Sequence, residues 1–280
     1  MALLDGFTDH VIDTGEVEIA YSVGPANGPD LLLLHGFSDR RDGFIGIYDA
    51  ITKNHRVLTM DQRGHGFSGR TSGHYGREDY ARDIRFILDN VCQGPTVVWG
   101  HSMGGGNVME VMADPPENVK AMVLEDAALF GAKRPVRKEP SGGVDYFQVV
   151  LEMLQTGASE VDLLKSYEAK FPGHSDSYNR LRAQSLSQMD IEILRNRAQN
   201  RSRSGHDPEQ VLKEIDCPLL LMQADPDLGG ILPDEYLAEI FPDKPNFTLV
   251  KIEGAGHNIS KEHADLSLPI VLPWLASLQA

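Results

Sequence analysis

Ser102 stands in Gly100-His101-Ser102-Met103-Gly104, directly after the apolar run Val97-Val98-Trp99 and before a helical pattern. A serine hydroxyl becomes a nucleophile only when a base takes its proton. The G-x-S-x-G spacing between a strand and a helix is the sharp turn that lifts such a hydroxyl clear of a sheet. Glycines at 100 and 104 let neighbouring backbone approach that turn without a clash. The base is assigned to His257, in Gly254-Ala255-Gly256-His257, after the last apolar run of the chain and before its last helical segment. His101 flanks the nucleophile and is assigned to supporting the turn. His10, His55, His74, His174, His206 and His263 lie in polar surroundings and are expected at the surface. Attack on a carbonyl also needs two donors for the oxyanion: the backbone N–H after the nucleophile and one from the first strand-to-helix loop. These are Met103 and Phe37, the latter in His35-Gly36-Phe37 behind four consecutive leucines at 31–34.

Short apolar runs at 31–34, 57–60, 96–99 and 121–124 must carry these groups, and runs of that length suit strands covered on both faces. Residues 11–13 and 17–23 read as an opening hairpin. Helical patterns at 44–53, 77–90 and 103–113 alternate with the runs, which predicts an α/β fold with a mostly parallel sheet. After Asp126 the rhythm changes to helical patterns at 146–154, 161–170 and 191–200. It returns to strands at 219–222 and 247–252, around a helix at 234–240, and closes with a helix at 262–278. The expectation is a core domain of residues 1–126 and 216–280, with a helical cap inserted as residues 127–215.

A net charge of -15 over 280 residues disfavours nucleic acid and anionic membrane surfaces as partners, and favours a neutral or cationic small substrate. Cys92 and Cys217 are far apart and in no metal-ligand spacing, so they are expected as buried, reduced thiols with neither a disulfide framework nor a zinc site. The amino-terminal residues lack a basic segment followed by an apolar one, and no stretch approaches the ~18 apolar residues of a membrane span, which predicts a cytoplasmic protein. Tyr146, Phe147, Met153, Leu154, Tyr167 and Phe171 could line a pocket but are expected mainly to hold the cap helices together. Arg195, Arg197, Arg201 and Arg203 form a basic run, read as a solvated helix end rather than as a guide for anions.

Four motifs in order, 33–37 (Leu-Leu-His-Gly-Phe), 61–69 (Asp-Gln-Arg-Gly-His-Gly-Phe-Ser-Gly), 100–105 (Gly-His-Ser-Met-Gly-Gly) and 254–257 (Gly-Ala-Gly-His), resemble the α/β-hydrolase superfamily, in its branch with a helical cap. The resemblance spans nearly the whole chain outside the cap. It implies a Ser-His-Asp triad, no metal or organic cofactor, and a structural role for the loop beginning at Asp61. Serine at 102 disfavours the dehalogenase and epoxide hydrolase chemistries, which use a carboxylate nucleophile. The family pattern places the triad acid just after the seventh strand. There Ala224 occupies the usual glycine position; the spacing favours Asp227, while Asp225 lies closer to the strand end. Some relatives draw the acid instead from the end of the sixth strand, which leaves Glu125 and Asp126 as alternatives. The expected activity is hydrolysis of a small carboxylic ester or lactone through an acyl-enzyme on Ser102, by a monomer or homodimer. Rivals on the same scaffold are a carbon–carbon bond hydrolase and a cofactor-free haloperoxidase-like enzyme; a rival of another kind is a non-catalytic ligand-binding member, against which the intact Ser102 and His257 stand.

Overall fold

The apolar runs become the centre of an eight-stranded sheet in the computed structural model, which describes residues 4–130, 146–198 and 205–278. Its strands are β1 (Thr8–Asp13), β2 (Glu18–Val23), β3 (Asp30–Leu34), β4 (Arg56–Met60), β5 (Thr96–His101), β6 (Val119–Glu125), β7 (Leu219–Ala224) and β8 (Phe247–Ile252), in the order β1-β2-β4-β3-β5-β6-β7-β8. The hairpin strand β2 is antiparallel to β1 and β4; every later pairing is parallel. This is an α/β-hydrolase fold.

Alternation along the buried strands divides the core in two. Leu32, Leu34, Leu58, Val98, Met122, Leu124, Leu219 and Leu221 face one layer; Leu31, Leu33, Val57, Trp99, Val123, Leu220 and Met222 face the other. Helices α2 (Arg77–Asn90) and α3 (Met103–Val111) cover the first face; α1 (Tyr48–Ile51) and the carboxyl-terminal helix cover the second. Each such leucine, fully buried, contributes roughly 1.5–3 kcal/mol. The helix expected over 44–53 shortens to α1: the chain before it closes three-residue turns, Ile45 N to Asp42 O at 3.1 Å and Ile47 N to Phe44 O at 3.0 Å, and a Cβ on Gly46 would sit 2.5 Å from Ser260 O.

Between β6 and β7 lie α4 (Tyr146–Gln155), α5 (Glu160–Lys170), α6 (Asp176–Ser187), α7 (Ile191–Ala198) and α8 (Pro208–Glu214). The hydroxyls of Ser159 and Ser175 and the carboxylate of Asp207 accept first-turn N–H groups of α5, α6 and α8. Helices α4 to α7 share an apolar cluster that includes Val150, Met153, Leu163, Tyr167 and Leu186 and takes in Tyr75 and Tyr80 beneath them. Val211 and Leu212 of α8 and its C-cap Ile215, with Ala127 and Leu129, pack instead beside Val108 and Met112 in the core. These five residues fall inside the expected 127–215 insertion, yet their burial joins them to the sheet. After β7 the chain forms α9 (Asp234–Ile240), β8, α10 (Ile259–Glu262) and α11 (Ala264–Ser277).

Candidate active site

Parallel strands present their carboxyl ends at one edge of a sheet, where ligands of open α/β folds bind. Phe37 follows β3, Ser102 follows β5, Asp126 follows β6 and His257 follows β8. Ser102 is held at φ 51°, a conformation rare for a non-glycine residue, in the turn between β5 and α3. Its N–H donates to Glu125 O at 2.9 Å, and its carbonyl accepts from Gly106 N at 3.1 Å and Ala128 N at 2.9 Å. Gly100 is forced by the same turn, since a Cβ there would meet Gly105 N at 2.5 Å.

Ser102 Oγ lies 2.9 Å from His257 Nε2, and His257 Nδ1 lies 2.6 Å from Asp126 Oδ2. The imidazole is therefore held at both nitrogens, with the proton on Nδ1 facing the carboxylate and Nε2 facing the hydroxyl. Asp126 is wholly buried and takes φ 36°, and its Oδ2 also accepts from Ile231 N at 2.8 Å. The structure thus brings Asp126, the alternative from the sixth strand, to His257, and not the preferred Asp225 or Asp227. Asp225 turns its Oδ1 back to Asp227 N at 3.0 Å and so caps the short 3-10 turn Pro226–Leu228, on which Asp227 is exposed. That loop still reaches the site through its backbone, because Ile231 N follows from it.

Glu125, the other sixth-strand alternative, points the opposite way. Its carboxylate accepts from Ser260 N at 2.8 Å, Ser260 Oγ at 2.6 Å and Trp99 Nε1 at 2.9 Å, fixing the chain just past His257. Burial raises this carboxyl above its ordinary value, against the pull of the Ser260 and Trp99 donors. His101 contributes Nε2 to His257 O at 2.9 Å; burial, reinforced by the nearby His257, drives its pKa well down and keeps it neutral.

Met103 opens α3, so its N–H has no acceptor within the helix. Gly36 packs against Ser102, whose Cβ lies 3.2 Å from the place of a Cβ on Gly36, which sets Phe37 beside it. The loop of Phe37 is braced from behind. His35 Nδ1 meets Gly36 O at 2.8 Å, His35 Nε2 accepts Gln62 N at 3.0 Å, and Asn107 Nδ2 donates to Gln62 Oε1 at 2.7 Å. Asp61 accepts Arg41 N at 2.7 Å and Phe67 N at 2.9 Å, and Arg63 grips Asp83 at 2.6 and 2.7 Å, so this loop acts as scaffold.

From the helical side, Arg182 of α6 donates to Ser38 Oγ at 2.7 Å and also to Tyr146 Oη, while its guanidinium lies 3.7 Å from Asp39. Lys261, on α10, pairs with Asp39 as well. Burial would raise the Asp39 carboxyl, but Lys261 and Arg182 outweigh it and hold it well below the usual carboxylate range. Sequence reading missed this cluster, since its members come from four separate segments.

Ser102, Met103 and Phe37 line a cavity of about 90 Å³ whose other described walls include Tyr75, Phe130 and Ile193. Of the six aromatic and apolar residues weighed as pocket lining, Phe147 takes that place; Met153 and Tyr167 are buried among the helices. Arg197 also lines the cavity, whereas Arg195 is exposed and pairs with Glu192; Arg201 and Arg203 lie outside the described residues. Of the six histidines expected at the surface, His55 is buried. Cys92 and Cys217 are unpaired and half-buried rather than buried; burial pushes the Cys92 thiol up to about 12 and raises that of Cys217. Among the described residues no group of three or more His, Cys, Asp or Glu is placed to hold a metal ion, and no helix is long and apolar enough to cross a membrane.

Comparison with known proteins agrees with the fold. The 2-(acetamidomethylene)succinate hydrolase of Mesorhizobium japonicum is 21% identical over 97% of this chain and 96% of its own length. Among solved structures, a bromoperoxidase from Bacillus anthracis superposes with a TM-score of 0.76 at 19% identity, covering 96% of this chain and 100% of that one. An esterase from Exiguobacterium antarcticum gives 0.73 at 18% identity, covering 94% and 96%. The family model for the alpha/beta hydrolase fold matches residues 29–264, and the chain belongs to that family.

Proposed function

We propose that the protein is a serine hydrolase that cleaves a small carboxylic ester or lactone through an acyl-enzyme on Ser102. The observation that carries this reading is the unbroken line Ser102 Oγ, His257 Nε2, His257 Nδ1, Asp126 Oδ2, with separations of 2.9 and 2.6 Å. In the proposed cycle His257 Nε2 takes the Ser102 proton as Oγ bonds to the carbonyl carbon, and the oxyanion that forms is received by the N–H groups of Met103 and Phe37. Collapse breaks the bond to the leaving alcohol, which takes the proton from His257. A water then loses its proton to His257, attacks the acyl carbon, and releases the acid and Ser102. Asp126 keeps the Nδ1 proton in place and stabilises the imidazolium without taking a proton itself. Helices α4 to α7 serve in this reading as a cap that shapes the acyl or alcohol pocket.

The relative from Mesorhizobium japonicum is named for an acetamido substrate, so amides belong in the test beside esters and lactones. The test is hydrolysis of a panel of acyl esters, lactones and acetamides by the wild type and by Ser102→Ala, with fluorophosphonate labelling of both. Turnover and labelling by the wild type, and neither by the variant, support the reading. Labelling of the variant at an unchanged rate refutes Ser102 as nucleophile.

A further inference from the structure

Two polar atoms on residues that line the Ser102 cavity have no hydrogen-bond partner among the described residues: Tyr80 Oη and Asn107 Oδ1. Both side chains are more than nine-tenths buried, since Tyr80 is 3% exposed and Asn107 not at all. Tyr80 stands in the first turn of α2, and Asn107 on α3, little more than a turn after Ser102. Neighbours fix the direction of the Asn107 amide. Gln62 Nε2 donates to His35 O at 2.6 Å, and Asn107 Nδ2 donates to Gln62 Oε1 at 2.7 Å, so Asn107 Oδ1 is left as an acceptor. Burial raises the Tyr80 phenol well above its ordinary value, so it keeps its proton and stays a donor. The other phenol of this wall is served: Tyr75 Oη donates to Asp190 Oδ2 at 2.5 Å and accepts Thr71 N at 3.0 Å. Buried polar groups are nearly always paired, and each exception calls for a cause. Here the cause is the cavity itself, whose volume of about 90 Å³ exceeds what one water needs, ~10–15 Å³, and leaves room for a ligand group.

We propose that Tyr80 and Asn107 determine specificity: the substrate carries, near its scissile ester, a hydroxyl or secondary amide that accepts from Tyr80 Oη and donates to Asn107 Oδ1; this rests on the serine-hydrolase reading above. A hydroxyl meets both needs from one atom, and a secondary amide from its two ends. Hydrocarbon entering the same place displaces water and leaves both protein atoms stranded, whereas a group that donates and accepts restores the bonds that the water made. A site built to pair a polar substituent rejects the analogue lacking it far more sharply than an apolar pocket rejects a wrong size. Phe37, Phe130, Phe147, Ile193 and Ile231 supply apolar wall for the rest of such a molecule. The substrate class is then a hydroxy or acylamino ester rather than a plain alkyl one.

The test titrates Ser102→Ala protein calorimetrically with methyl esters of short acids that bear, on the third or fourth carbon, a hydroxyl, an acetamido group, a keto oxygen or a methyl group. At least one hydroxyl or acetamido ester is expected to bind roughly ten- to a hundred-fold more tightly than its methyl analogue, the range for buried groups that gain partners. The keto ester, which only accepts, should fall between them. With Tyr80→Phe added, which keeps the ring and loses the hydroxyl, the margin should shrink by roughly ten-fold. With Asn107→Ala added, the hydroxyl and acetamido esters should fall to the level of the keto ester. Tyr80→Phe decides where Asn107→Ala, which also gives up the bond to Gln62, does not fold. Methyl analogues that bind as well as every polar ester, a margin unchanged in Tyr80→Phe, or absence of binding by the whole panel would each overturn the proposal. Hydrolysis by the unaltered protein is scored separately, so failure of the polar preference and failure of Ser102 as nucleophile are read in different experiments.

Discussion

Asp126 Oδ2 stands 2.6 Å from His257 Nδ1 across 131 positions of sequence, and the N–H of Ile231 at 2.8 Å holds the same oxygen in place. Replacing Asp126 with Asn leaves the shape but lets the amide N–H face the ring, which favours the wrong tautomer. The expected fall in kcat is about 10⁴, the size seen for the same change in the protease triad. Asp225→Ala and Asp227→Ala should each keep kcat within a few-fold, with Asp225→Ala losing about 1 kcal/mol of stability through its lost cap. Steady-state kinetics and urea denaturation of the three variants decide; a large kcat loss at Asp225 or Asp227 with Asp126→Asn active would return the acid to the seventh strand.

The Arg182 guanidinium ties α6 to Ser38, next to Phe37, and Ser38 sits at φ 55°. Arg182→Met removes a buried charge from beside Asp39 and leaves Lys261 as its close partner. Breaking a buried pair costs roughly 3–5 kcal/mol. Urea midpoints, with the slope checked for two-state behaviour, measure it; a loss under about 1 kcal/mol, the value of an exposed pair, would show that water takes over the bonds of Arg182.

Glu125 should matter through geometry alone. Glu125→Ala strands three donors, two of them on Ser260, and is expected to lower both stability, by about 1–3 kcal/mol for an unsatisfied buried group, and kcat. Glu125→Gln, which keeps the size and one acceptor oxygen for Ser260 Oγ and Trp99 Nε1 but turns its NH2 toward Ser260 N, should recover part of both. If Glu125→Gln is as damaged in kcat as Asp126→Asn, the carboxylate charge acts on the reaction directly.

Acid should unfold the protein through its buried imidazoles. Burial lowers the pKa values of His35 and His101 and holds that of His65 down to about 3, against 6.5 when unfolded. Below pH 6.5 the unfolded chain therefore binds protons that the native one refuses. The stabilisation is whole above 6.5 and is lost as pH falls from there towards 3, each such histidine adding roughly 1.4 kcal/mol per pH unit to the slope. His65 Nδ1 meets Arg63 O at 3.1 Å, a bond that Asn can imitate, so His65→Asn should flatten the pH dependence by one histidine's share. Urea midpoints between pH 7 and pH 5 check it; an unchanged slope would mean that His65 is already charged in the native state.

Where backbone direction and side-chain periodicity decide, the chain was readable. The leucines at 31–34 and the run at 219–222 announce strands, and the helices at 77–90 and 234–240 fall where their patterns place them. The approach of Ser102 to His257 was readable because each sits in a short glycine-marked loop. The carboxylate that meets His257 was not, because two loops offer one and only strand order selects between them. Pairing of β6 with β5 puts His101 opposite Glu125, so the next residues, Ser102 and Asp126, leave the sheet side by side. Helix α6 escaped notice because its apolar positions are sparse, yet Ser175 was a readable cap; Asp207 followed by Pro208 signalled α8 equally well. The Arg182, Asp39 and Lys261 cluster follows no sequence period at all, since its charges come from distant segments and Tyr146 and Tyr167 also pack on Arg182.

His257 comes 155 residues after the serine it serves, beyond the last strand of the sheet. During synthesis Ser102 therefore leaves the ribosome long before His257, and β7 and β8 must still be made and paired. On the serine-hydrolase reading proposed above, a nascent or carboxyl-terminally broken chain carries an inert hydroxyl at position 102, and acylating power awaits completion of the sheet.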